Sequence, residues 1–172
     1  MSRELFRTER LIGRQMRADD LQELLEVYGD RDAMKWVDDG DVLSYEDALR
    51  WIQITANNYE TRGYGMSAII ELQTGKLIGF CGLVHPNGQQ EVEVKYAFKR
   101  HVWGQGFATE TVKAMLDYAV HSLQISDVIA TTAPENCASH KVLMNAGFSV
   151  GEVVIEEDGS KTQVFNWKSQ AD

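Results

Sequence analysis

The chain has 172 residues, 44% of them hydrophobic and 25% charged, a size and balance that fit one folded domain with a single core and exclude a disordered or fibrous chain. A formal net charge of −9 argues against nucleic acid as a partner, since phosphate backbones are bound by clustered Lys and Arg, and it leaves a cationic acceptor in play beside a plain solubilising surface. No apolar run reaches the roughly 20 residues of a membrane span, so no membrane partner is expected, and the opening MSRELFRTER lacks the apolar core of a signal peptide, which points to the cytoplasm.

In chain order, Thr8 to Met16 reads as a first strand, and Ala18-Asp19-Asp20 caps a helix in which Leu21, Leu24, Leu25 and Tyr28 recur at helical spacing. Ser44, with Asp47 three residues on, opens a second helix carrying Ala48, Trp51, Ile52 and Thr55. Between the two lies Asp38-Asp39-Gly40-Asp41, read first as a solvated turn, although its charge suits an amine; its acids do not fall at the positions of an EF-hand. Tyr64 to Leu72 and Lys76 to Val84 form an expected antiparallel hairpin around Thr74-Gly75. From Glu91 to Phe98 the residues alternate, Val92, Val94, Tyr96 and Phe98 on one face and Glu91, Glu93, Lys95 and Ala97 on the other.

A glycine-bearing run then leads into a helix with the apolar stripe Val112, Met115, Leu116, Ala119, Val120 and Leu123. Val128 to Thr132 is a short strand and Ser139 to Asn145 a short helix stopped by Gly147. Val150 to Glu156 and Thr162 to Trp167 flank the hairpin signal Asp158-Gly159. No repeat, low-complexity tract or linker interrupts this order, so residues 1–172 are read as a single domain. Strands outnumber helices and interleave with them, which gives an α/β or α+β fold built on a mixed sheet.

The segment Trp103-Gly104-Gln105-Gly106-Phe107-Ala108-Thr109 sits between a strand and a helix, the setting of an anion cradle. Glycines let backbone N–H groups approach a phosphate closely, and the free N–H groups and dipole of the new helix favour negative charge. Lys99, Arg100 and His101 stand just before it as candidate helpers. The spacing is not that of a P-loop, which needs GxxxxGK followed by Ser or Thr, nor of a dinucleotide fingerprint, whose third glycine is replaced by Thr109.

Read whole, the segment resembles the coenzyme A site of the GNAT acyltransferases, whose pattern is Gln/Arg-x-x-Gly-x-Gly/Ala at the start of a helix, with Trp103 departing from the usual first residue. EVKYAFKRHVWGQGFATE is most similar to the ribosomal-protein N-acetyltransferase branch. Three other stretches agree with that branch: Thr8-Glu9-Arg10-Leu11 running on to Arg14, Pro134-Glu135-Asn136-Cys137-Ala138-Ser139, and Ala146-Gly147-Phe148. The resemblance implies a mostly antiparallel central sheet flanked by helices and acetyl-CoA as donor substrate. It implies a pyrophosphate on the N–H groups of residues 104 to 109, pantetheine beside a splayed strand at the backbone of Ala97 and Phe98, and a cofactor contact at Asn136.

Acyl transfer from a thioester to an amine needs a deprotonated nucleophile, because an amine with a pKa near 10 is mostly protonated at neutral pH. Glu93, matching the family's strand Glu, is the first candidate base and Glu91 the second; the alternative for either is a charge on the sheet surface. The family's usual acid, a Tyr on the last short helix, falls at Leu143, so Ser139 is the candidate substitute, or a helix cap or cofactor contact. A backbone N–H of Ala97 or Phe98 would meet the oxyanion.

Trp36, Trp51, Tyr28, Asp38 and Asp39 fall where the family builds its acceptor site, although aromatics on helices are first of all core. His85, His101, His121 and His140 show no paired spacing and Cys81 and Cys137 no CxxC partner, so no metal is expected, and both cysteines read as small buried hydrophobes in a reducing compartment. The expected activity is N-acetyl transfer to a primary amine by direct transfer. The alternatives are a noncatalytic acyl-CoA-binding or sensing module, for which Leu143 speaks, and a nucleotide-binding domain. The acceptor and the oligomeric state stay open, a homo-oligomer included.

Overall fold

A computed structural model describes residues 3–35 and 42–170. The acidic loop at 38–41 and Trp36 lie outside them. The chain begins with two short strands, β1 (Glu4–Arg7) and β2 (Leu11–Gln15), where the sequence suggests one strand from Thr8. Thr8 explains the break, since its N–H donates to Leu11 O at 2.8 Å and its Oγ1 accepts from Leu11 N–H at 3.0 Å, folding residues 8–11 into a turn.

Helices α1 (Leu21–Tyr28), α2 (Arg31–Met34) and α3 (Tyr45–Arg62) follow, the last capped as expected by Ser44 Oγ, which accepts from Asp47 N–H at 3.2 Å. Strands β3 (Met66–Glu71) and β4 (Leu77–Val84) make the hairpin, and β5 (Glu93–Phe98) leads to helix α4 (Phe107–Leu123). Strand β6 (Asp127–Thr132), helix α5 (Cys137–Asn145) and the hairpin of β7 (Ser149–Ile155) and β8 (Lys161–Lys168) complete the chain.

The strands form one eight-stranded sheet in the order β1-β2-β3-β4-β5-β6-β8-β7. Every neighbouring pair is antiparallel except β5 and β6. Both faces are covered at the middle of the sheet, while β7 at its edge stays largely exposed. Leu24, Val27 and Tyr28 of α1 and Ala48 of α3 pack with Phe80 and Ala97 on one face; Val112, Met115 and Ala119 of α4 and Leu143 of α5 pack with Cys81, Val94 and Phe98 on the other. Tyr28 and Trp51 meet edge to face with centroids 4.5 Å apart, so these aromatics serve the first core. Covering both faces changes the reading of β5, because the face expected to be polar is buried as well and Glu93 is only 3% exposed.

Candidate active site

Strand β5 has two unlike edges. Against β4 it registers residue by residue from Gly79 opposite Phe98 to Val84 opposite Glu93. Gly79 is obligatory there, for a Cβ would lie 2.4 Å from the Phe98 ring and 2.6 Å from Ala97 O. Against β6 the same strand registers only at Glu93 opposite Ile129, joined by Ile129 N–H to Val92 O at 2.8 Å. Beyond that point the two parallel strands part.

Ladder parity says which backbone groups the parting leaves. Lys99 N–H donates to Ile78 O at 2.9 Å, so the odd residues of β5, Ala97 among them, turn their backbone groups to β4, and the even residues Tyr96 and Phe98 turn theirs to the splayed side. Of the two residues expected to offer an N–H, Phe98 therefore faces the opening and Ala97 is taken up by Phe80. Phe98 O accepts from Trp103 Nε1 at 2.9 Å, so Trp103, half exposed, pins the incoming loop to the free edge.

The loop holds the expected cradle geometry. Gly104 and Gly106 have φ of +76° and +83°, a region costly for other residues, and a Cβ on Gly104 would meet nothing within 4 Å. Gly106 is the N-cap of α4 and brings no side-chain cap. Glu110 N–H is the first to bond back, to Gly106 O at 3.1 Å, which leaves the N–H groups of Phe107, Ala108 and Thr109 without helical acceptors. The Phe107 ring is buried below, and Gln105 closes the loop by donating from Nε2 to His101 O at 3.1 Å.

The cations before the loop are otherwise engaged. Lys99 Nζ pairs with Glu26 at 2.9 Å, and Arg100 pairs with Asp30 at 2.7 Å and Asp32 at 2.8 Å, so both tie the loop to α1 and α2. The cation at the cradle is Arg10, which sequence reasoning placed only in the opening strand motif. Its guanidinium lies 4.2 Å over the Phe107 ring, donates to Gln105 O at 3.0 Å and to Glu110 Oε1 at 2.7 Å, and stands 3.4 Å from where a Gly106 Cβ would be. Partial burial pushes the Glu110 carboxyl up, but hydrogen bonds from Thr8 and Arg10 and the Arg10 charge outweigh it and hold the group below the ordinary glutamate range.

Glu93, at the point where β5 and β6 part, is a buried carboxylate with partners rather than a surface charge. Thr131 Oγ1 donates to Oε2 at 2.8 Å, Gln89 Nε2 to Oε1 at 3.3 Å, and Lys95 Nζ lies 3.7 Å away. Neither Thr131 nor Gln89 is marked in the sequence; Thr131 emerges only once the register of β6 sets it on the Glu93 face, and Gln89 sits in an unpatterned loop. Glu91 is exposed and precedes the strand.

On the opposite face, Asn136 is the N-cap of α5, its Oδ1 accepting from Ser139 N–H at 3.2 Å, so the capping role belongs to Asn136 and not to Ser139. Ser139 Oγ instead accepts from Tyr96 Oη at 3.2 Å. Cys81 is buried, as expected, but Cys137 is exposed at the first turn of α5. Among the described residues no group of His, Cys, Asp and Glu could hold a metal ion, and no helix is long and apolar enough to cross a membrane.

Comparison with known proteins gives this geometry its context. The family model of the acetyltransferase (GNAT) domain matches residues 10–149. An N-acetyltransferase called p20 from Bacillus licheniformis, itself uncharacterized, is 32% identical over 167 residues, 95% of this chain and 92% of that protein. Among solved structures, RimL, a ribosomal-protein alpha-N-acetyltransferase in complex with coenzyme A, superposes with a TM-score of 0.83 at 16% identity over 98% of this chain and 99% of that one. A ribosomal-protein-S5-alanine acetyltransferase from Vibrio fischeri does so with a TM-score of 0.77 at 15% identity over 99% and 97%. With the domain model spanning most of its length and a relative of this identity along nearly all of it, the chain belongs to the GNAT family and is an N-acetyltransferase.

Proposed function

We propose that the chain moves an acetyl group from acetyl-CoA to a primary amine by direct transfer, with the donor laid along the splayed edge of β5 and the acceptor approaching from the face of α1 and α3. The observation that carries this reading is the single strand on which everything converges. Its free edge carries the Phe98 N–H, its end runs into the cradle of residues 104–109, and its start carries Glu93. The cradle suits a pyrophosphate because its glycines leave open space at positive φ and its first helical N–H groups lack acceptors. Binding of coenzyme A by RimL agrees with it.

In this reading the amine nitrogen attacks the thioester carbon, a C–N bond forms, and the C–S bond breaks. The Phe98 N–H meets the charge that develops on the carbonyl oxygen, an interaction that strengthens in the transition state. Glu93 takes up the amine's proton. Because Glu93 is covered by Gln89 and Thr131, the proton reaches it through an intervening water and not by direct contact with the amine. The acceptor is a cationic amine, drawn by the net charge of −9. Asn136 holds the start of α5 beside the donor.

Thiol release from acetyl-CoA, measured across a panel of protein N-terminal peptides, polyamines and small amines, tests the proposal. Release should depend on acceptor, and Glu93→Gln should lower kcat by about 10²-fold or more with KM for acetyl-CoA little changed. Tight binding of acetyl-CoA with no acceptor-dependent release in the unaltered protein would defeat it in favour of a noncatalytic binding module.

A further inference from the structure

As the C–S bond of a thioester breaks, negative charge gathers on sulfur, and a donor placed there eases departure. The helix position that resembling enzymes fill with a tyrosine is Leu143 here, fully buried and without a polar side-chain atom. A phenol reaches the same helix from the sheet instead. Tyr96 of β5 leans onto the α4 and α5 face, partly buried against the core, and its Oη donates to Ser139 Oγ at 3.2 Å. Ser139 is held at its backbone by Asn136 and at its hydroxyl by Tyr96. A serine hydroxyl has one proton and two lone pairs, so when Tyr96 fills a lone pair the proton stays available for a third group.

The surroundings keep the phenol protonated. Burial pushes the Tyr96 phenol up to about 12, against the smaller opposing effect of its bond to Ser139, so it keeps the proton it donates across the neutral range. Opposite it on β4, Cys81 is a buried thiol that burial likewise pushes up, and it brings no charge. On α5 the adjacent His140 turns its Nε2 to Thr132 Oγ1 at 2.9 Å and Ala133 O at 3.3 Å. Glu93 and Lys95 project from the other face of β5.

We infer that Tyr96 is a positioning residue for thiol release: by donating to Ser139 Oγ it turns the Ser139 hydroxyl toward the splayed edge of β5, where that hydroxyl hydrogen-bonds the departing sulfur. This rests on the acyl-transfer reading above. The electron pair of the C–S bond stays on sulfur, the thiolate leaves with the Ser139 hydrogen bond, and it takes its proton from water afterwards. Neither hydroxyl changes protonation state.

Free coenzyme A bound to the full chain gives the test, since its thiol can be titrated in place by far-UV thiolate absorbance, taken as a difference from the complex with desulfo-coenzyme A. Ser139→Ala should raise the apparent pKa of the bound thiol by about one unit, a tenfold loss of thiolate at a given pH. Tyr96→Phe, which keeps the ring in the core, should give a large part of that shift, and the double variant no more than Ser139→Ala alone. In turnover, Tyr96→Phe should lower kcat several-fold without raising KM for acetyl-CoA. A bound thiol that titrates alike in the unaltered protein and in Tyr96→Phe, or shifts from the two variants that simply add, overturns the inference while leaving acyl transfer standing. Failure of coenzyme A to bind overturns acyl transfer and the inference with it.

Discussion

The two edges of β5 differ in one respect that organises the whole site. Toward β4 the strand is zipped over six residue pairs, and toward β6 it registers at one. Zipping fixes the strand in place; parting exposes backbone groups that would otherwise be spent on a neighbour. A fully paired sheet has no polar backbone to offer a ligand, and an unpaired strand has no rigidity to aim what it offers. The two faces of β5 divide labour in the same manner, Glu93 looking toward α1 and α3, Tyr96 toward α4 and α5. In the mechanism proposed above, one strand thus separates the handling of the amine from the handling of the sulfur.

Substitutions at glycines should tell the edges apart. Gly79→Ala puts a methyl group against Ala97 O and the Phe98 ring, and should cost about 1–3 kcal/mol of stability, read from urea unfolding. Its effect should fall on folding and turnover together. Gly106→Ala lies on the open side, where the strain of φ +83° costs about 1–2 kcal/mol and the Arg10 guanidinium stands 3.4 Å away. It should raise KM for acetyl-CoA about tenfold with a smaller change in kcat. Equal losses of stability and affinity in both variants would show that the two edges do not act separately. Trp103→Phe removes the donor to Phe98 O, an interaction worth about 1 kcal/mol, and should weaken coenzyme A several-fold while lowering stability in urea unfolding by no more than that amount.

How much of this was legible depends on which residues one asks about. The cradle was, because glycine at positive φ followed by a helix start is a local device and needs no distant partner. The cap at Ser44 and the hairpins were legible for the same reason, whereas the cap of α5 falls on Asn136 and not on the Ser139 that the sequence suggested. The burial of Glu93 was not legible. Alternation along β5 places it opposite Val94 and says nothing about whether a second layer of helices covers that side, and only the packing of α1 and α3 settles the point. Arg10 and Tyr96 were hidden by sequence distance, their partners lying 100 and 43 residues away. The four-residue β1 escaped notice because a strand that short carries too little alternation to separate from a turn.

Glu110 supplies the smallest and most specific test, because it joins the turn at Thr8 to the open end of β5. Its carboxyl accepts from Thr8 Oγ1 at 2.5 Å and from Arg10 Nε at 2.7 Å, and these bonds hold it below the ordinary glutamate value against the opposing pull of burial. A carboxyl lowered on folding contributes stability that is fully present above its unfolded pKa, about 4.3, and is lost as pH falls through its folded value. Arg10 is 40% exposed, so solvent screens the pair and the contribution near neutrality should be modest, about 0.5–1 kcal/mol. Glu110→Gln should therefore be less stable than the unaltered protein at pH 7, and the gap should close between about pH 5 and pH 3. A gap that is the same at pH 7 and pH 3 would mean that shape and not charge makes this contact. If charge does make it, the same acidification should loosen Arg10 from Gln105 and weaken coenzyme A in parallel, since the residue that anchors the cradle is the one Glu110 holds.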